Sequence, residues 1–372
     1  MLNIQRSMLK ALLTPSASSP ASASLELEAA PLVSIVINNC NYGRFLAGAI
    51  DSVLNQTLMI DPKVQVEIIV VDDGSTDYSR AVIRQYSSKV IAILKENGGQ
   101  DSAFNAGFMS ARGKIVCFLD ADDRFMPDKL EQVVRCFNQH PDIGWCFHSL
   151  QLKDIHTGRT ICMTKAFPGN EHDTSRPCDF REPLRLGRLP FYPASTSGLC
   201  FRRSLLQLIL PMPETFMPTS ADRYVRLAAM GIAPGYFLAN ELTVQGIHGN
   251  NASTMRRDRP ALPERQIVIA YLLRTQFPQL ARYANRLFSR GLTAYKAIPT
   301  GAVNPEYKTV IHHYWQMCSP LESGLIWLIR LYRQRPWRRR KIREVDFYYF
   351  AQPTAPEVST KKTVSEKVSA LR

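Results

Sequence analysis

Ile115-Val116-Cys117-Phe118-Leu119-Asp120-Ala121-Asp122-Asp123 decides how the chain is read: a short apolar run ends abruptly in three carboxylates. An apolar run without polar alternation fits a strand buried on both faces, as in a parallel sheet. Outward from it the same grammar repeats. Leu32 to Ile37, Val66 to Val71 and Val90 to Leu94 are short apolar runs. Helical spacing follows in Phe45, Leu46, Ala49, Ile50, Val53 and Leu54, then over Tyr78 to Tyr86, Ser102 to Ser110 and Asp128 to Phe137. Four β-α units in about 110 residues predict a mainly parallel, doubly wound α/β sheet with helices on both faces. Ligands of such sheets lie beyond the carboxyl ends of the strands. Here those ends are polar: Asn38-Asn39-Cys40-Asn41, Asp72-Asp73-Gly74-Ser75-Thr76-Asp77, Glu96-Asn97-Gly98-Gly99-Gln100 and the Asp120 to Asp123 run.

The rest of the chain divides by composition. Residues 1–30 read as a flexible Ser/Ala/Pro-rich leader, and 31–140 as the ligand-binding α/β half. Residues 141–255, richer in proline and with extended candidates at Trp145 to Leu152 and Gly198 to Arg202, form a second half facing the other substrate. Helical patterns return in 256–345 as a C-terminal extension (Ile267 to Leu273, Leu280 to Leu287, Leu321 to Tyr332), and 346–372 is a polar tail. At 372 residues and 45% hydrophobic the chain can bury a sizeable core, which excludes disorder throughout. The eight cysteines form no Cys-x-x-Cys pair, and several lie in apolar runs, so they read as core residues in a reducing compartment. No stretch approaches the roughly 18 apolar residues of a membrane span, and Met1 to Leu13 lacks a signal peptide's apolar core.

Carboxylates leaving one strand together repel each other. A hard divalent cation such as Mg²⁺ or Mn²⁺, bridging Asp120, Asp122 and Asp123 to a diphosphate, removes that repulsion. The same residues also suit a polar turn with Asp123 or Asp128 capping the next helix. The Asp72–Asp77 segment admits two readings as well: a carboxylate accepting from nucleobase N–H or ribose hydroxyls, or an ordinary turn and N-cap. Two acidic strand ends in one sheet favour the ligand. No Gly-x-Gly-x-x-Gly occurs, and Gly43-Arg44-Phe45-Leu46-Ala47-Gly48 continues Ala49-Ile50 where a P-loop needs Lys-Ser/Thr. Dinucleotide and P-loop readings therefore fail.

Taken with Asp51-Ser52-Val53-Leu54-Asn55-Gln56-Thr57 and Phe104-Asn105-Ala106-Gly107, these strand ends resemble family 2 glycosyltransferases of the GT-A fold, collinearly over about residues 32–135. The resemblance implies inverting transfer from a nucleotide-diphospho-sugar, here expected to be UDP-linked, to a saccharide or lipid-linked acceptor hydroxyl in surface polysaccharide or glycolipid synthesis. It implies donor contacts at Asn38, Asn41, Asp73, Gly99, Gln100, Asn105 and Asp120, and metal contacts at Asp122 and Asp123. It also puts the general base at Asp222 in Ser220-Ala221-Asp222-Arg223-Tyr224, with Ala221 where the family usually has an acid. An Asp favoured by a helix dipole is the plainer reading of Asp222. His248, in Gln245-Gly246-Ile247-His248-Gly249, is similar to a family loop that reaches diphosphate or metal, although a lone histidine in such a loop is also simply exposed. Asn251-Ala252-Ser253 is formally a glycosylation acceptor, read as chance. Alternatives are a sugar nucleotidyltransferase, whose Gly-rich, Arg-containing first loop is not found in Asn38 to Arg44, and a non-catalytic nucleotide-sugar-binding module.

The charge is uneven. Of the net +14, half lies in residues 331–372, with eleven Lys/Arg against four Asp/Glu. Leu325, Ile326, Leu328, Ile329 and Tyr332 run into Arg333, Arg335, Arg338, Arg339, Arg340, Lys341 and Arg343. Residues 321–343 therefore read either as an amphipathic helix touching an anionic membrane or as a packed helix with a solvated basic end. Nucleic acid is not expected, because no reading motif is found. The protein is expected in the cytoplasm, or peripherally at the inner face of the plasma membrane.

Overall fold

The computed structural model describes residues 32–60, 64–163, 174–189, 195–214, 220–249, 251, 262–295 and 306–334. The leader at 1–30 and the tail at 346–372 lie outside them. Strands β1 (Val33–Asn39), β2 (Val66–Asp73), β3 (Ile91–Lys95) and β4 (Ile115–Asp120) occupy the apolar runs, followed in turn by helices α1 (Gly43–Leu54), α2 (Ser79–Gln85), α3 (Gly99–Ser110) and α4 (Lys129–Gln139). These strands are parallel in the order β3-β2-β1-β4. The register sets Asn38 beside Asp120 and Asn39 beside Asp72, so the polar strand ends finish level with one another.

Past β4 the sheet becomes mixed. Strand β9 (Leu199–Arg202) runs antiparallel between β4 and β6 (Trp145–Asp154), and β10 (Gly235–Ile247) runs parallel to β6. The short β5 (Arg124–Phe125) and β8 (Arg176–Cys178) pair antiparallel with β10, and β7 (Thr160–Met163) with β6. Residues 141–255 thus extend the sheet of the first half. Leu199, Cys200 and Phe201 are fully buried because β9 has a strand on either side. One register row places Cys117, Cys200 and Cys146 side by side across β4, β9 and β6, with Cys136 Sγ 3.5 Å from Cys146 Sγ. Burial pushes the Cys146 thiol well above its usual range.

Each face of the sheet is covered. On one, Leu46, Ile50 and Val53 of α1 and Val133 and Phe137 of α4 pack against Ile35, Ile37, Val70 and Leu119. On the other, Phe104 and Phe108 of α3 meet Val36, Val71 and Phe118. Small helices α5 (Arg181–Arg185) and α6 (Arg203–Leu206) lead to α7 (Ala221–Ile232) on that second face. The C-terminal helices are α8 (Leu262–Gln276), α9 (Ala281–Tyr295), α10 (Glu306–Gln316) and α11 (Pro320–Gln334). Their Ile267, Phe288, Tyr314 and Ile326 belong to the same apolar cluster, so this extension is built into the core of the second face. Among the described residues no helix is long and apolar enough to cross a membrane.

Candidate functional site

The site is built where β1, β2 and β4 end. Ligand oxygens of Asp120, Asp122 and Asp123 lie within 4.8 Å of one another. Asp120 and Asp122 are half-buried, and Asp123 is 1% exposed. Burial, followed by the charges of Asp122 and Asp222, pushes the Asp120 carboxyl well above the usual range. Burial, then Asp122 and Asp120, does the same to Asp123. Oxygen donors packed this closely and partly desolvated fit a hard divalent cation, which removes the repulsion.

Ser197, fully buried in the turn before β9, organises this group. Its hydroxyl donates to Asp123 Oδ2 at 2.6 Å and accepts from the Asp120 N–H at 3.0 Å. Gly246 N–H donates to Asp123 Oδ1 at 3.1 Å. The Ser197 carbonyl in turn accepts from Lys129 Nζ at 2.8 Å and from the Thr243 hydroxyl at 3.1 Å. Lys129 is fully buried, with its ammonium 3.3 Å from the Phe125 ring centroid. Asp122 is oriented from the opposite side of the sequence. His248 Nε2 lies 3.0 Å from Asp122 Oδ2, and Asn251 Nδ2 donates to the same oxygen at 3.3 Å. The imidazole ring is tilted on Phe45, centroids 4.7 Å apart, and the residue is 7% exposed, so the loop histidine is a packed one. Asn251 also accepts from His248 N–H and donates to the Gly246 carbonyl, which makes the formal glycosylation acceptor a buried clamp on Asp122. Tyr42 belongs to the same group: burial and the charges of Asp122 and Asp120 raise its phenol to about 12.

The β2 end is tied up internally. Asp72 accepts from Asn39 Nδ2 at 2.8 Å and pairs with Arg80 at 3.0 Å. Asp73 Oδ1 accepts from Lys95 Nζ and Gly98 N–H at 2.7 and 2.9 Å, and its Oδ2 accepts from Gly99 N–H at 2.8 Å. A carboxylate oxygen has two acceptor sites, so Oδ2 retains one. Gly74 lies at φ 71°, and a Cβ there would stand 2.5 Å from Asn97 N, so only glycine fits under this loop. Asn41, at φ 59°, spends its side-chain carbonyl on Thr76 N–H (2.8 Å) and Asp77 N–H (3.3 Å). Asn105 is likewise engaged. Its amide donates to the Met212 carbonyl at 2.8 Å and to Glu214 at 3.1 Å, and it accepts from Met212 N–H at 2.8 Å. These two asparagines, expected on the donor, hold protein segments in place. Asn38 differs from them: both its amide atoms are buried with no hydrogen-bond partner among the described residues, beside Asp120.

Asp222 opens α7 in its first turn, with Arg226 Nη1 3.8 Å from its Oδ2. The Gln100 side-chain carbonyl accepts from Ala221 N–H at 3.2 Å, joining the start of α3 to the start of α7. Asp101, which the sequence reading passed over, is 4% exposed in the first turn of α3. Burial and the charges of Glu214 and Asp222 raise it to about 7. Asp222 is therefore close enough for its charge to reach both Asp120 and Asp101. Lys129, Ser197 and Asn251 were also missed, because their partners lie 46 to 129 positions away in sequence.

The profile of glycosyl transferase family 2 matches residues 34–205. An uncharacterized glycosyltransferase of Nostoc sp. is 35% identical over 223 residues, 59% of this chain and 66% of that protein. One of Rickettsia prowazekii is 39% identical over 109 residues, 29% of this chain and 33% of its own length. Minor teichoic acid biosynthesis protein GgaB of Bacillus subtilis is 32% identical over 111 residues, 29% of this chain and 12% of its length. The chain thus spans less than two thirds of these relatives. S. aureus TarS 1-349 in complex with UDP-GlcNAc matches the fold with a TM-score of 0.57 at 15% identity, over 86% of this chain and 89% of that one.

Proposed function

We propose that this chain, which belongs to glycosyl transferase family 2 through residues 34–205, moves a sugar from a nucleotide-diphospho-sugar to an acceptor hydroxyl with inversion at the anomeric carbon. The observation that carries this is the carboxylate group of Asp120, Asp122 and Asp123, gathered at the strand ends within reach of the charge of Asp222. A Mg²⁺ or Mn²⁺ ion held by these three residues, with His248 at their edge, would supply positive charge to a departing nucleoside diphosphate. The free acceptor site on Asp73 Oδ2 and the unpartnered amide of Asn38 suit the N–H and carbonyl groups of a base. A uridine donor is the reading supported by TarS, which was crystallised with UDP-GlcNAc. GgaB, a teichoic acid biosynthesis protein, supports an acceptor in a cell-surface polymer, saccharide or lipid-linked.

Asp222 performs the proton chemistry. Its carboxylate takes the proton of the acceptor hydroxyl as that oxygen bonds to the anomeric carbon, and the bond from that carbon to the diphosphate oxygen breaks on the opposite face. One displacement inverts the centre without a covalent enzyme intermediate. Gln100 fixes the helix start that carries Asp222, and Arg226 sits one turn below it.

The test is a binding and turnover panel of UDP-, GDP-, dTDP- and CMP-sugars with Mg²⁺ or Mn²⁺. Asp222→Asn is expected to cut turnover by about 10²–10⁴-fold and leave donor affinity near wild type. Asp73→Asn should do the reverse, because an amide cannot accept from both Gly98 and Gly99. Weakened donor binding with intact saturated turnover in Asp222→Asn would remove Asp222 as the base.

A further inference from the structure

We propose that the outward face of α11 is a docking surface for an anionic lipid bilayer. Leu321, Leu325, Leu328 and Tyr332 recur at the spacing of one helical stripe. They are 87%, 52%, 59% and 45% exposed, and Trp327 and Leu331 flank them. Six of the fourteen large exposed apolar side chains among the described residues therefore lie on this one helix. Ordinary surfaces scatter such residues singly, and a contiguous patch marks a contact site.

The helix cannot roll to hide this face. Its opposite side is fixed by Ile326, fully buried, and by Glu322, whose carboxylate takes both Arg274 guanidinium nitrogens at 2.9 and 3.0 Å. Ser319 N–H and Asn285 Nδ2 add bonds to the same carboxylate at 2.9 and 3.2 Å. Glu322, the helix's one acidic residue, is thereby turned inward and paired, so no negative charge accompanies the apolar stripe.

What covers the face is indicated by charge. In sequence, Arg333 to Arg343 hold seven Lys/Arg and no Asp/Glu, with Trp337 among them; residues 335–343 lie outside the described residues and enter by their charge alone. Another copy of this chain would bring the same positive segment and repel, whereas an anionic bilayer neutralises it while its interface accepts Leu, Trp and Tyr. A helix of 15 residues lies on the surface; it does not span.

The test uses the full chain, sedimented with vesicles of mixed phosphatidylglycerol and phosphatidylcholine and with phosphatidylcholine alone. Wild type should partition at least about tenfold more strongly to the anionic vesicles and be released by salt. The double substitution Leu325→Glu and Leu328→Glu should lower that partition by about tenfold or more, since it sets two charges on the inserting face. The triple substitution Arg338→Ala, Arg339→Ala and Arg340→Ala should lower it by about 100-fold, at about fivefold per basic residue. Thermal midpoints and donor binding should stay at wild-type values in both variants, which separates this proposal from the catalytic one. Equal binding of wild type to the two vesicle types would overturn it, as would wild-type partition of either variant. So would a dimer in light scattering that the Leu325→Glu, Leu328→Glu protein loses while vesicles are ignored, because the occupant would then be a second copy.

Discussion

Two serines two positions apart supply an internal control on how the carboxylate group is held. Ser197→Ala removes one oxygen that serves two partners, leaving Asp123 Oδ2 and the Asp120 N–H without their donor and acceptor in a fully buried place. Each orphaned buried polar group costs about 1–3 kcal/mol, so the variant should lose about 2–6 kcal/mol. At about 2 °C per kcal/mol for a chain of this size, the thermal midpoint should fall by about 4–12 °C. Ser195→Ala deletes the same atom from a hydroxyl that is buried with no partner among the described residues, so it removes such a cost, and its thermal midpoint should stay at or above the wild-type value. Differential scanning calorimetry with a urea titration at the same pH measures both. Equal midpoints for the two variants would refute the claim that Ser197 ties Asp120 to Asp123. A fall in Ser195→Ala matching that of Ser197→Ala would equally show that the loss belongs to the turn and not to the hydrogen bonds.

Asp101 predicts a pH effect of definite sign. Its folded carboxyl titrates near 7 against an ordinary 3.8, so its ionisation opposes folding increasingly as pH rises between those values. Asp101→Asn should gain stability over wild type on going from pH 4 to pH 8 in thermal scans; a flat difference would refute the raised value. Glu322 predicts the opposite trend. Its hydrogen bonds with Arg274 hold it at about 2 against 4.5, so its contribution is complete above 4.5 and fades as pH falls through about 2. The stability gap between wild type and Glu322→Gln should close on that descent, and a gap constant to pH 2 would contradict the pairing. Lys129→Met should destabilise through loss of the bond to the Ser197 carbonyl and weaken donor binding with it; unchanged donor affinity would show that the turn holds Asp123 unaided.

The parallel half of the fold was legible because its strands are apolar on both faces and their polar ends are local. The second half was less so. In β10, two register shifts between Leu238 and Thr243 leave Ala239, Asn240 and Leu242 without partners in β6 and break the pattern a strand is read by. Strand β9 was seen, but its place between β4 and β6 depends on pairing across more than fifty positions. In the site, the acidic clusters stood out in sequence, whereas their division of labour did not. The backbone groups that the Asn41 and Asn105 side-chain carbonyls accept from cannot be read from the sequence around either residue. Lysine is ordinarily a surface residue, and nothing local to Lys129 announces a fully buried ammonium.

The row of Cys117, Cys200 and Cys146 bears on whether unfolding can be undone. While the sheet is intact these thiols meet neither solvent nor oxidant. Once it opens, closely spaced sulfurs from three strands become accessible together, and any bridge formed in the denatured chain must break before β9 can re-enter between its neighbours. In air, heating would therefore measure a rate of loss, and only with a reductant present would it measure an equilibrium.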